Sequence, residues 1–198
     1  MRRMTWLLGV AVVTLGQSVV LVGCGRASDA GAPSVSAVTS APAHAPPPVG
    51  SGVPFATLKE LMDSTVDPAA DGLWDSVAVT ATAAGIDRRE PRTPQEWAAV
   101  RRHAITLIES MNLVVMSGRH AAPAGTQPGL GELPPQEIEL RIERQRPMFV
   151  GFANALGNLA REALAAIDHK DSEALLKTGG DIDAACEACH VTFWYPNQ

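Results

Sequence analysis

Near its C-terminus the chain reads Cys186-Glu187-Ala188-Cys189-His190. On a helix, two thiols three residues apart lie on one face. They are spaced to add to the two vinyl groups of a porphyrin, and the histidine that follows is then held over the iron as its proximal ligand. The expectation is one covalent haem c, joined to Cys186 and Cys189, with His190 on the iron. A zinc site would need a further thiolate or imidazole at short spacing, and the remaining cysteine, Cys24, lies far upstream. A redox CxxC belongs at the end of a strand in a βαβ unit, and no such unit is readable here.

The other end of the chain predicts where such a protein lives. Arg2 and Arg3 precede a run from Trp6 to Val22 that is apolar apart from Thr14, Gln17 and Ser18, and the run closes on Leu21-Val22-Gly23-Cys24. A basic start, an apolar stretch and small residues before a cleavage point describe a bacterial secretory signal. The Leu-Val-Gly-Cys ending resembles a lipobox, in which the cysteine is lipidated and becomes the new N-terminus. Residues 1–24 are therefore expected to be a lipoprotein signal peptide with Cys24 anchoring the chain to a lipid bilayer on the periplasmic side. Acyl chains at about 0.8 kcal/mol per buried CH₂ hold such a protein firmly. Gly25 in place of an acidic residue after the cysteine favours the outer membrane.

With one cysteine for lipid and two for haem, none is left for a disulfide. The formal charge of −5 becomes −7 once Arg2 and Arg3 leave with the leader. An acidic surface argues against nucleic acid as a partner and suits a basic redox protein. Residues 25–53, rich in Ala, Pro, Ser and Gly and containing Pro46-Pro47-Pro48, cannot bury a core and read as a linker. His44 within it reads as exposed.

Residues 54–198 read as four helices and no strands. The first runs from about Phe55 to Ala84 on the stripe Phe55, Leu58, Met62, Thr65, Ala69, Leu73 and Val77, with Pro68 expected to kink or split it. The second opens at Thr93-Pro94-Gln95-Glu96, a capping box with proline at the first helical position, and runs to about Ser117. Residues 121–134 are a Gly/Pro-rich loop. The third helix starts at Pro135, bends at Pro147 and continues through Ile167. The fourth starts at Asp171 or Ser172 and carries the CxxCH. Gly179-Gly180 in its middle predicts close packing. Short connections predict an all-α, antiparallel up-down-up-down four-helix bundle.

A haem motif at the end of the fourth helix resembles the class II cytochromes c, the cytochrome c-prime family. The matching residues are Asp168-His169-Lys170-Asp171-Ser172-Glu173-Ala174-Leu175 and Cys186-Glu187-Ala188-Cys189-His190-Val191-Thr192-Phe193. The resemblance covers about Phe55 to Tyr195. It implies a bundle with one haem at its end, a periplasmic or membrane redox partner, and in some members a homodimer through the first two helices.

The sixth iron position separates two functions. A methionine sulfur there makes a low-spin electron carrier, whereas an apolar side chain leaves a five-coordinate iron that binds nitric oxide or another small gas. In an antiparallel bundle the end of helix four faces the start of helix one. At about 1.5 Å rise per residue, Met62 falls level with His190. The resemblance points the same way, because methionine-ligated members take their sulfur from early in helix one. Met111, Met116 and Met148 lie at the same end and are rivals. Arg101, Arg102 and Arg119 could pair with propionates, and His103 and His120 are alternative ligands, with His169 a poor one. No nucleophile elbow, phosphate loop or dinucleotide turn is present. The chain is therefore expected to be an electron carrier rather than an enzyme, with iron held by His190 and Met62.

Overall fold

The computed structural model describes residues 52–196. The leader with Cys24, and the linker up to residue 51 with His44, lie outside the described residues.

Where Pro68 predicts a kink or a split in the first helical segment, the chain stays helical from Leu58 to Trp74 with a wide turn inserted just before the proline. Helix α1, Leu58–Leu61, opens on a capping box in which Thr57 Oγ1 accepts the Glu60 N–H and the Glu60 carboxylate accepts the Thr57 N–H. A π-helical turn, Met62–Val66, follows, and in it the Asp67 N–H donates five residues back to Met62 O. Helix α2, Asp67–Trp74, then resumes ordinary spacing. Proline at 68 has no N–H, so the Ser64 carbonyl loses the donor that an α-helix would bring to it. Nearby, the Ser64 hydroxyl donates to Glu60 O at 2.5 Å. One extra residue per turn shifts the buried stripe. Leu58 and Leu61 are followed inward by Val66, Ala69, Ala70 and Leu73, which corrects the predicted stripe at Thr65. Phe55, expected at its head, lies before the helix and is fully exposed.

The expectation of helix as far as Ala84 and of no strands is also corrected. Strands β1, Ala78–Thr82, and β2, Gly85–Arg89, form an antiparallel hairpin closed at Thr82 and Gly85, where Gly85 has φ +125°. Such a dihedral suits glycine and few other residues. The hairpin docks through polar contacts. Ser172 Oγ donates to Glu90 at 2.6 Å, and Arg88 lies 3.7 Å from Glu173. Its side chains are nearly all exposed, so no apolar alternation marks it in the sequence.

Helix α3, Pro94–Val114, carries the predicted Thr93/Glu96 capping box. Gly118, with φ +77°, lies just beyond its end. Helix α4, Pro135–Arg144, and helix α5, Arg146–His169, are separated at Gln145, with Pro147 in the first turn of α5. Lys170 in the left-handed conformation (φ 56°) ends α5. One residue later Asp171 accepts the Ala174 N–H at 2.9 Å and starts α6, Ser172–Phe193.

Helix α2 packs on α3, α3 on α5, α5 on α6 and α6 on α2, which closes a ring around one core. Leu73, Leu107, Leu175, Ile182 and Phe193 are fully buried within it. The loop between α3 and α4 does more than connect. Leu58 and Lys59 donate their N–H groups to His120 O and Ala121 O at 2.8 and 2.9 Å, and Leu133 donates to Trp194 O at 2.8 Å. The loop thereby ties the start of α1 to the end of α6. Among the described residues no helix is long and apolar enough to cross a membrane.

Candidate functional site

The last two turns of α6 bring Cys186, Cys189 and His190 to one end of the bundle. Phe193 locks that end by standing edge-on to Phe149 and Phe152 of α5, with centroids 5.4 and 6.2 Å away. Such edge-to-face pairs contribute about 0.5–1.5 kcal/mol each beyond burial. Two adjoining cavities lie there. The larger, about 210 Å³ and open to the surface, is walled by Leu58, Met62, Phe149, Cys189, His190 and Trp194 among others. The smaller, about 50 Å³, touches Met62, Met111, Phe149, Cys186, Cys189 and His190.

Burial pushes the Cys186 thiol up to about 11, with the charges of Asp67 and Asp183 adding to it. Burial and the neighbouring Cys186 push Cys189 up to about 12. Both thiols are therefore neutral at pH 7. Redox-active CxxC pairs have a lowered thiol pKa, and burial here acts in the opposite direction. Nor does any group of three His, Cys, Asp or Glu side chains among the described residues stand ready to hold a metal ion alone.

His190 is framed by the C-terminal tail. Trp194 and Tyr195 donate their N–H groups to His190 O at 2.7 and 3.1 Å. The Tyr195 ring lies 6.0 Å from the imidazole, and its hydroxyl donates to Glu187 at 2.7 Å. Partial burial, then that bond, push the Tyr195 phenol up to about 12. Two neutral thiols and an adjacent imidazole beside apolar walls suit a vinyl-bearing porphyrin, which needs two C–S bonds and one axial nitrogen. A planar group larger than the open cavity would leave one edge in solvent.

Of the rival methionines, Met111 shares the smaller cavity with Met62 and is 6% exposed. Met148 is 50% exposed, and the Met116 sulfur accepts from Arg119 at 3.6 Å. Neither of these two lines either cavity. The other singled-out side chains are engaged elsewhere. Arg101 pairs with Asp168 at 2.8 Å, Arg102 donates to Ala98 O, and Arg119 donates to Ala56 O and Leu113 O. His120 meets Glu139 at 3.2 Å, and His169 meets Ala165 O at 2.8 Å. The His103 ring lies so close to the α2 backbone that a Cβ on Gly72 would fall 2.4 Å from it.

Sequence reasoning missed the charged rim. Lys59, Asp63, Asp67 and Glu132 line the open cavity. Lys59 is paired with Asp63 at 3.3 Å. Burial raises the Asp67 pKa, and attraction to His190 opposes the rise. The signal available was Pro68, which follows the wide turn at this level and goes with the re-aiming of the residues beside it.

No family model matches the chain, and no curated protein matches it. Among solved structures, a chain titled cytochrome c′ matches with a TM-score of 0.43 and 20% identity, over 71% of this chain and 98% of that one. A likeness that loose says nothing of chemistry, which rests on the residues above.

Proposed function

We propose that this chain is a monohaem c-type cytochrome that transfers electrons on the periplasmic side of a bacterial membrane, with iron held by His190 and Met62. One observation carries the reading: Met62, Cys186, Cys189 and His190 all line the same small, largely apolar cavity. The haem, when bound, supplies a one-electron ferric–ferrous couple.

The chain's own residues do the rest. Cys186 and Cys189 provide the two thioether links and fix the ring on α6. His190 would supply a ring nitrogen to the iron, its helix end held by the Trp194 and Tyr195 backbone bonds. Met62 provides a thioether sulfur, a ligand that raises the potential. Phe149, Phe152 and Phe193 keep water from the cavity floor, and the open side leaves an edge for a redox partner. In this reading the four helices run up-down-up-down, and an acylated Cys24 tethers the domain to the bilayer, on the outer membrane.

A second reading has its own support. The smaller cavity, about 50 Å³, exceeds the roughly 10–15 Å³ that one water needs on the same measure, and so has room for a diatomic molecule. If Met62 is wall rather than ligand, the site is five-coordinate and binds nitric oxide or a similar gas.

The full chain, produced with a c-type maturation system, tests both. Haem should stay on the protein in a denaturing gel and be lost in Cys186→Ser/Cys189→Ser. A low-spin spectrum with a methionine–iron charge-transfer band supports electron transfer. A high-spin spectrum in both oxidation states supports the gas-binding reading and contradicts the first.

A further inference from the structure

We propose, resting on the haem reading above, that Asp67 is a specificity-determining residue of this site: its carboxylate lowers the reduction potential of the iron and, where an added ligand displaces Met62, disfavours an anionic ligand relative to a neutral one.

The placement comes from the backbone. In a π-helical turn residues five apart stand over one another, and here the Asp67 N–H bonds directly to Met62 O. An uninterrupted α-helix would instead set Val66 next to Met62 on that face. Val66 is turned into the core and is 2% exposed. The wide turn thus sets a carboxylate beside Met62, while Val66 stays on the wall of the smaller cavity. Asp67 lines both cavities together with Met62, Cys189 and His190.

Its carboxylate has no direct partner. Asp63, on the same rim, is paired with Lys59. Among the described residues the Asp67 carboxylate forms no hydrogen bond and no ion pair.

The chemistry follows from sign. A negative charge beside the iron stabilises the more positive ferric state over the ferrous one, so the potential falls. An anion approaching ferric iron meets a like charge, and a neutral diatomic does not. The bland alternative is that Asp67 only favours the α2 N-terminus, where an acid in the first turn complements the helix dipole. That role affects stability and leaves potential and ligand preference alone.

The test uses the haem-loaded full chain and four proteins: wild type, Asp67→Asn, Asp67→Glu and Asp71→Asn. Asp71 lies one turn further along α2, is exposed like Asp67, and lines neither cavity, so its replacement makes the same change of charge outside the site. The readouts are the midpoint potential, the azide affinity of the ferric form and the carbon monoxide affinity of the ferrous form. Asp67→Asn should raise the potential and tighten azide several-fold while leaving carbon monoxide unchanged. Asp67→Glu should stay near wild type, and Asp71→Asn should move much less. Unchanged potential and azide affinity in Asp67→Asn, or an equal effect in Asp71→Asn, would overturn the proposal. If Asp67→Asn does not retain haem, Asp67→Ser is read the same way. A wild type without covalent haem overturns the parent reading instead, and is seen before any of these comparisons begins.

Discussion

The indole of Trp74 on α2 donates to the Gly179 carbonyl on α6 at 2.9 Å, and a Cβ on Gly179 would lie 3.2 Å from Trp74 Cδ1. The two glycines in the middle of α6 therefore do different things. Gly179 lets an aromatic side chain reach a helix backbone, whereas a Cβ on Gly180 meets nothing within 4 Å.

Gly180→Ala should stabilise the protein by about 1 kcal/mol, the helix-propensity difference at an open site. Gly179→Ala should lose that gain against displacement of Trp74. Trp74→Phe, which removes the donor, should cost about 0.5–1.5 kcal/mol. Urea unfolding of the three variants checks this. Equal stabilisation by both alanines would mean that the Trp74 contact is slack.

The capping box of α3 gives a dependence on pH. The N–H groups of Arg92 and Thr93, then the Thr93 hydroxyl, hold Glu96 below its ordinary value of 4.5. A folded-state pKa below the unfolded one contributes stability above the unfolded value, and that contribution is lost as pH falls through the folded value. Glu96→Ala should therefore be less stable than wild type at neutral pH, with the difference closing as the pH falls below the ordinary carboxyl value and through the lowered folded-state one. Thr93→Ala, which removes the other half of the box, should cost about 1 kcal/mol. Thermal melts across pH measure both, and a Glu96→Ala deficit that persists in acid would contradict the assignment.

The haem-free folded protein should protect its CxxCH thiols. With Cys186 pushed up to about 11 and Cys189 to about 12 by burial, alkylation by iodoacetamide at neutral pH should be far slower than in denaturant. An unfolded cysteine titrates at about 8.5. Labelling equally fast in both conditions would mean that the thiols face solvent.

Sequence reading reached the features fixed by local hydrogen bonds. The Thr93-Pro94-Gln95-Glu96 start and the Asp171 cap lie where their spacing puts them. Pro68 announced a disturbance in the first helix. It could not say that this would be a wide turn that buries Val66 and leaves Thr65 half-exposed, because that depends on how α2 packs against α3 and α6. The hairpin was illegible for another reason. Val79 and Ile86 are 45% and 70% exposed, so its sequence carries no burial pattern. At the site, helical rise alone put four methionines at one level. Rotation about each helix axis, which tertiary packing decides, separates Met111 at the cavity from Met148 in solvent. Asp67 escaped notice because an acid beside proline reads as a solvated helix start.

The coordination claim is tested most directly by Met62→Ala, with Met111→Ala alongside. The loss of a half-buried side chain should cost about 2 kcal/mol, so each variant is first checked for cooperative unfolding. Covalent haem should survive in both, because Cys186 and Cys189 are untouched. The measurement is the absorption and magnetic-circular-dichroism spectrum of the oxidised and reduced protein. In Met62→Ala the spectrum should turn high-spin, with the methionine–iron band gone and the potential lowered, while Met111→Ala stays low-spin. A folded Met62→Ala protein that keeps the wild-type low-spin spectrum would contradict the account and assign the sixth position to another side chain.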